Sequence, residues 1–252
     1  PTELDLRHET LHALRLLAQL AYFTKQRERG AVLNLYGLNL AEQLGLPAET
    51  GMGYGGMTVL FRNLAQHKLA DRYRALAEQL LPDMATSAEK AAVLQLVGYD
   101  GMSVGQWSLA KQTLTEAASL FTRLEMGRSW AECWTLLGFL HMLRGRFDQG
   151  ARQYAEAGVV ASERGDLFFR FVGLTGQAAG LLRLGDSYLP DVAGLLEQAQ
   201  AMPNLPLTAE DKVWLYGLLG RVQLRLGNLV EAEAWAHETL AAMAQSTFMY
   251  FY

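Results

Sequence analysis

One glycine returns along this chain at a nearly constant distance. Gly105 in VGQW, Gly145 in RGRF, Gly185 in LGDS and Gly227 in LGNL stand 40, 40 and 42 residues apart. Seven residues before each comes a small residue: Gly98, Gly138, Ala178 and Gly220. After each comes a second helical stretch with a small residue at matching depth: Ala117, Ala157, Ala199 and, less closely, Thr239. The triplet LLG at 136–138 recurs at 218–220. A helix, a tight glycine turn and a second helix make a hairpin. One such hairpin cannot bury its whole apolar face, so it needs a neighbour on each side. The pattern therefore confines the chain to a series of stacked helical hairpins.

The clearest unit is Trp134–Ala157, WTLLGFLHMLRGRFDQGARQYAEA. Gly138 and Ala157 lack bulk, so the two helices can approach, and Trp134, Leu137 and Tyr154 fill the space around the contact. Helical periodicity holds along the chain; Leu114, Ala117, Leu120, Phe121 and Leu124 fall on one stripe. Two weaker units come first, with helices at 8–24 and 28–45 around a polar turn at Lys25–Arg29, then at 49–66 and 68–81. Their endings, LNLAEQLG and RALAEQLL, echo each other. Pro82, Pro190, Pro203 and Pro206 lie at helix edges, where proline is tolerated. The segment around Pro203 and Pro206 reads as the longest linker. No alternating strand pattern is present. The expectation is an all-α chain, a right-handed α-solenoid of about six hairpins at 8–45, 49–81, 87–125, 128–165, 167–202 and 208–245, forming one domain over 1–252. A truncated further helix is expected at 247–252.

Composition narrows the function classes. Half of the 252 residues are hydrophobic and the net charge is −4, enough for a sizeable core and no reason to expect nucleic acid as a partner. Cys133 is the only cysteine, so no internal disulfide can form and a reducing, cytoplasmic setting fits. Its apolar and aromatic neighbours suit an inert buried thiol better than a nucleophile. No apolar run approaches the ~18 residues of a membrane span. The sequence starts at Pro1 and closes on the apolar run TFMYFY, and it reads as a piece of something longer.

The blocks GQW at 105–107, RSWAECWTLLGFLHMLRGRF at 128–147, GLTGQAAGLLRLG at 173–185 and YGLLGRVQLRLGN at 216–228 match the small-and-large pattern of a tetratricopeptide-type hairpin. The period near 40 exceeds the usual ~34 of that repeat, which calls for longer helices or fuller loops. In their order, these blocks resemble the tetratricopeptide tail of large bacterial signalling proteins. Those proteins join a class III adenylate/guanylate cyclase domain, or a protein kinase domain, to an AAA-type ATPase and a helical-repeat tail. The resemblance runs from about Leu6 to Tyr252. It implies a non-enzymatic interaction and regulatory module and transfers no catalytic residue.

Two motifs suggest chemistry of their own. HETLH at His8–His12 fits HExxH, in which two histidines four apart on a helix grip zinc and Glu9 serves as base. A zinc hydrolase needs a third ligand, for which Glu28 and Glu42 are the available guesses; the competing reading puts both histidines on an exposed helix end. GMGYGG at Gly51–Gly56 fits G-x-G-x-x-G, but no strand precedes it, as dinucleotide binding requires. Glycines inside a helix cost on the order of 1 kcal/mol each against alanine, and close packing between first helices of neighbouring hairpins would offset that. His67, His141 and His237 are isolated, and the five tryptophans read as packing anchors. No catalytic residue, metal site or cofactor is expected.

In hairpin stacks of this type the first helices line the inner groove. Repeat position places Tyr22, Gln95, Tyr99, Met102, Glu132, Phe139, Met142, Arg183, Arg221 and Arg225 near it. Aromatic and methionine side chains followed by arginines suit an amphipathic helix or a peptide with an acidic end. The competing reading makes half of these residues core between hairpins. The Lys/Asn set of chaperone-binding repeats is missing, since Gln95, Tyr99, Thr135 and Phe139 hold those positions. The partners expected are therefore a protein or peptide in the groove, or the parent protein's own domains, with no membrane and with self-association left open. The alternative is a small-molecule-sensing repeat domain of a STAND-type regulator.

Overall fold

The structure, a computed structural model, describes residues 2–23, 26–203 and 205–246. Among the described residues there are twelve α-helices and no strand. They are α1 (Glu3–Phe23), α2 (Arg27–Leu44), α3 (Pro47–Asn63), α4 (His67–Leu80), α5 (Ala88–Ser103), α6 (Trp107–Arg123), α7 (Gly127–Leu143), α8 (Phe147–Glu163), α9 (Leu167–Leu184), α10 (Leu189–Gln200), α11 (Ala209–Leu226) and α12 (Leu229–Gln245). Single 3₁₀ turns follow α4 at Leu81–Asp83 and α9 at Asp186–Tyr188. The chain divides into two compact units, Pro1–Met126 (unit 1) and Gly127–Tyr252 (unit 2). Each holds three consecutive hairpins, so the all-α hairpin series expected from the repeat is what forms.

Three of the four turn glycines do what their spacing implies. Gly105, Gly145 and Gly227 take φ of 76°, 71° and 81°, a left-handed conformation that glycine adopts without a Cβ penalty. Gly185 differs: with φ 139° and ψ 175° it leads straight into the 3₁₀ turn Asp186–Tyr188 before α10. Ala65 and Glu125 stand at the same kind of turn as the first three, with φ of 56°. There the strain of about 1–2 kcal/mol is borne by an ordinary residue, which hides those turns from a search for glycine. The long period goes into the helices: α6, α7 and α8 each run 17 residues, joined by turns of three.

Helix α1 begins at Glu3 rather than His8 because Thr2 caps it. The Thr2 N–H donates to Asp5 Oδ2 (2.8 Å), and the Asp5 N–H donates back to Thr2 Oγ1 (3.2 Å). Helix α11, after the proline linker, carries the same device, with Thr208 and Asp211 exchanging bonds.

Within unit 1, α3 packs on α2, α4 and α5. The glycines of GMGYGG make those approaches. A Cβ on Gly53 would stand 2.8 Å from Leu38 on α2, and one on Gly55 would stand 2.8 Å from Leu96 on α5. Gly51 lies on Val93 and Met84. The motif is a packing surface on both sides of α3, wider than the contact between first helices alone. Met57, Val93, Leu114 and Phe121 are buried in this unit.

Unit 2 has its largest core cluster around Phe171, Val192, Leu196, Leu215 and Leu218. Each such side chain contributes roughly 1.5–3 kcal/mol by leaving water. Trp214 and Trp235 pack against this cluster, and Trp130 stacks on Trp134 with centroids 5.3 Å apart, as anchors should. Helix α12 keeps Leu229, Val230, Leu240 and Met243 exposed. The further helix expected at 247–252 lies outside the described residues.

Candidate functional site

Three places concentrate polar chemistry, two in unit 1 and one in unit 2. The first is a charge cluster centred on Asp100, which is completely buried on α5. Arg62 at the end of α3 donates to it twice, Nε to Oδ1 at 2.7 Å and Nη2 to Oδ2 at 3.1 Å. Arg74 on α4 adds Nη1 to Oδ2 at 3.3 Å and also donates to Gln106 at 2.8 Å. Arg62 reaches on to Asp71 at 2.7 Å. Asp100 raises the Arg62 pKa further above its ordinary range, and Arg62 holds the Asp71 carboxyl below the usual carboxylate range. Every charge is answered, so the cluster is a staple between the second and third hairpins.

The second place is a cleft of about 140 Å³ among α1, α2 and α3, lined by both histidines of HETLH together with Arg15, Asn34, Glu49 and Met52. His8 and His12 are exposed on α1. The guessed third zinc ligands do not join them. Glu42 accepts the Tyr54 hydroxyl at 2.7 Å, which pushes the phenol up to about 12, and Glu28 is exposed on α2 outside the cleft lining. Among the described residues no three His, Cys, Asp or Glu side chains are placed to hold a metal ion.

The third place is on the first helices of unit 2. Phe139 and Met142 lie on α7, Arg183 on α9, and Arg221 and Arg225 on α11; α7 packs on α9 and α9 on α11. Arg225 is tethered: Nη1 donates to the Leu182 carbonyl at 2.8 Å and to Asp186 at 2.9 Å. Arg183 sits over the Phe147 ring, 5.8 Å from its centroid. Among the described residues no hydrogen bond or ion pair reaches Arg221. Partial burial lowers its pKa, and the positive charges of Arg183 and Arg225 lower it further. The three guanidinium groups thus share one neighbourhood, in which Asp186 pairs with Arg225.

The remaining groove candidates divide. Met102 is 4% exposed and offers no surface. Met142 packs against the large core cluster and against Gly150. Tyr99 and Phe139 are half-buried. Cys133 is buried in α7, and that burial raises its thiol pKa, as an inert thiol requires.

No protein-family model matches the sequence, and no curated protein matches it. Solved structures do match in fold. Pseudomonas aeruginosa pilF superposes with a TM-score of 0.59 at 15% identity, over 95% of this chain and 99% of that one. A kinesin light chain-like protein from Podosopora anserina, with nearly identical TPR-like repeats, gives 0.56 at 14% identity, over 79% and 99%. RapI in its apo form gives 0.56 at 8% identity, over 93% and 98%. The fold is that of the tetratricopeptide-type repeat. At such low identity the likeness speaks for backbone architecture alone, so the side chains above carry the functional argument. No helix among the described residues is long and apolar enough to cross a membrane.

Proposed function

We propose that this chain is a non-enzymatic protein- or peptide-interaction module, the regulatory helical-repeat part of a larger cytoplasmic bacterial signalling protein that also carries nucleotide-cyclase and ATPase domains. Its partner is an amphipathic segment bearing carboxylates, supplied by another protein or by the parent protein's own domains. The observation that carries this reading is the arginine group of unit 2, with Arg221 unanswered beside Arg183 and Arg225. A guanidinium fork matches a carboxylate in two parallel hydrogen bonds, so an acidic segment supplies what the fold leaves out. Phe139, on the first helix before it, offers the aromatic surface for the segment's apolar side. Regulation follows if the segment is accessible in one state of the parent protein and hidden in the other, because the module then favours the accessible state by its affinity for it.

The test uses a labelled amphipathic helical peptide with glutamates on its polar face, and the same peptide with glutamines. The acidic peptide is expected to bind, the neutral one to bind at least about tenfold more weakly. The pair Phe139→Ala and Arg221→Glu is expected to abolish binding with helix content unchanged by circular dichroism. If both variants bind the acidic peptide normally, the assignment to this surface is wrong.

A further inference from the structure

The cleft of unit 1 has a chemistry of its own. Leucines from α1 and α2, among them Leu11, Leu14 and Leu33, give it an apolar floor. Gly37 and Gly53 line its base. His8, His12 and Arg15 approach from one face of α1, Asn34 from α2 and Glu49 from the first turn of α3. Arg15 is already engaged, 3.5 Å from Glu89 Oε1 on α5 and 3.9 Å from Met52 Sδ. His8, His12, Asn34 and Glu49 make no hydrogen bond or ion pair among the described residues, although Asn34 and Glu49 are half-buried. The polar atoms of Asn34 and Glu49 stay open to the cleft and are available to bond a ligand that enters it.

The arrangement sorts candidate ligands by charge. Glu89 answers Arg15, which leaves Glu49 as the unanswered charge and rules against a purely anionic ligand. The imidazoles, each with one N–H to donate when neutral, and the Arg15 guanidinium line the α1 side and suit a carboxylate. The floor between them suits a short apolar body. We propose that this cleft binds a small amphipathic zwitterion of the free amino-acid class, with its ammonium on Glu49, its carboxylate toward His8, His12 and Arg15, and its apolar side chain on the leucine floor. The module would then take a second, small-molecule input through unit 1.

Isothermal titration of the whole chain with L-leucine tests this, beside L-leucinamide, which lacks the carboxylate, and 4-methylpentanoate, which lacks the ammonium. Saturable L-leucine binding is expected, with each truncated probe about tenfold weaker or worse. Glu49→Gln should weaken L-leucine about tenfold and leave 4-methylpentanoate unchanged, because only the ammonium contact is removed. Independently of any variant, the imidazole NMR signals of His8 and His12 should move on adding L-leucine while those of His237 on α12 stay still. Absence of saturable L-leucine binding at millimolar concentration overturns the proposal. So does a Glu49→Gln chain that binds L-leucine as the wild type does, or a titration that moves His237 as much as His8 and His12.

Discussion

Units 1 and 2 follow one plan of three hairpins but hold their helices together by different means. Unit 1 sinks a carboxylate, Asp100, between Arg62 and Arg74 and so ties three helices with charge. Unit 2 brings backbones together: Gly173 and Gly176 on α9 lie against Gly158 and Tyr154 on α8, and Gly180 lies on Ala151. Both units place arginine at the C-terminal end of first helices, Arg62 on α3 in unit 1 and Arg183 and Arg225 on α9 and α11 in unit 2. In unit 1 a buried acid gathers Arg62, with Arg74 from α4, into a staple. In unit 2 the acid at that end is the exposed Asp186, which serves Arg225 and leaves Arg221 alone. The same cationic helix end is thus structural when the chain supplies its counter-charge and available to a partner when it does not.

The largest expected effect tests the staple. Asp100→Ala removes the buried carboxylate that Arg62 and Arg74 share and leaves the Arg62 side chain, only 9% exposed, with Asp71 at the surface as its remaining counter-charge. Breaking a buried pair by removing one partner costs about 3–5 kcal/mol, since the remaining charge stays buried. Urea unfolding followed by circular dichroism should show a loss of that size. Hydrogen exchange should place it in α3–α5, because hairpin arrays transmit instability mainly to neighbours. A loss below about 1 kcal/mol would mean that water already reaches the cluster, and the contrast between the units would fail.

The counterpart in unit 2 is Gly173→Ala. An added Cβ would stand 2.5 Å from the Gly158 Cα and 2.9 Å from the Tyr154 carbonyl oxygen, both backbone atoms that cannot step aside. Overpacking of this kind costs about 1–3 kcal/mol. Gly217→Ala on α11 is the control: nothing lies within 4 Å of its Cβ, so it should gain up to about 1 kcal/mol from helix propensity alone. If the two substitutions change the unfolding midpoint alike, close backbone approach is not what holds α8 to α9.

The difference in legibility between the units follows from this. The hairpins could be read because turn glycines and small residues recur at fixed spacing, and Gly98 and Gly138 do meet Leu114 and Tyr154 across their hairpins. On α9 the repeat pointed to Ala178, whereas Gly173, Gly176 and Gly180 make the close approach; a stripe of glycines at helical spacing was there to be seen but lay outside the period. Asp100 was passed over because its partners are 26 and 38 residues away and no local spacing links them. Its signal was burial: one acid inside the apolar run AAVLQLVGYDGM, where an unpaired charge could not stay. The arginines of unit 2 were found by repeat position, yet only the fold distinguishes the tethered Arg225 from the unanswered Arg221.

Side-chain caps give a smaller and more even effect. Ser87 accepts from the Lys90 N–H at 3.2 Å at the start of α5, and Thr208 caps α11 with a reciprocal bond from Asp211. Both helices follow long connections, where no tight turn fixes the first residue. Ser87→Ala in unit 1 and Thr208→Ala in unit 2 should each cost about 1 kcal/mol in urea unfolding, with Thr208→Ala the larger because its hydroxyl makes two bonds to Asp211, accepting from the N–H and donating to Oδ2. A cap effect confined to one unit would show that the other unit frays at that helix end.

The smallest effect carries the sharpest sign. If Arg221 has like charges for neighbours and no counter-charge, removing its charge should help the fold. Arg221→Gln keeps most of the stem and should raise stability by a few tenths of a kcal/mol, the scale of exposed charge interactions. Salt should mimic the substitution, because a Debye length of about 8 Å at physiological ionic strength screens guanidinium groups that share solvent. The wild type should therefore gain more in melting temperature than Arg221→Gln between low and physiological salt. The variant should also lose affinity for the acidic peptide even as its fold becomes firmer. A binding residue can move those two quantities in opposite directions, whereas a structural one, like Asp100, loses stability first. Should Arg221→Gln instead destabilise unit 2 by as much as about 1 kcal/mol, the guanidinium is structurally satisfied and the two units differ less than their charges suggest.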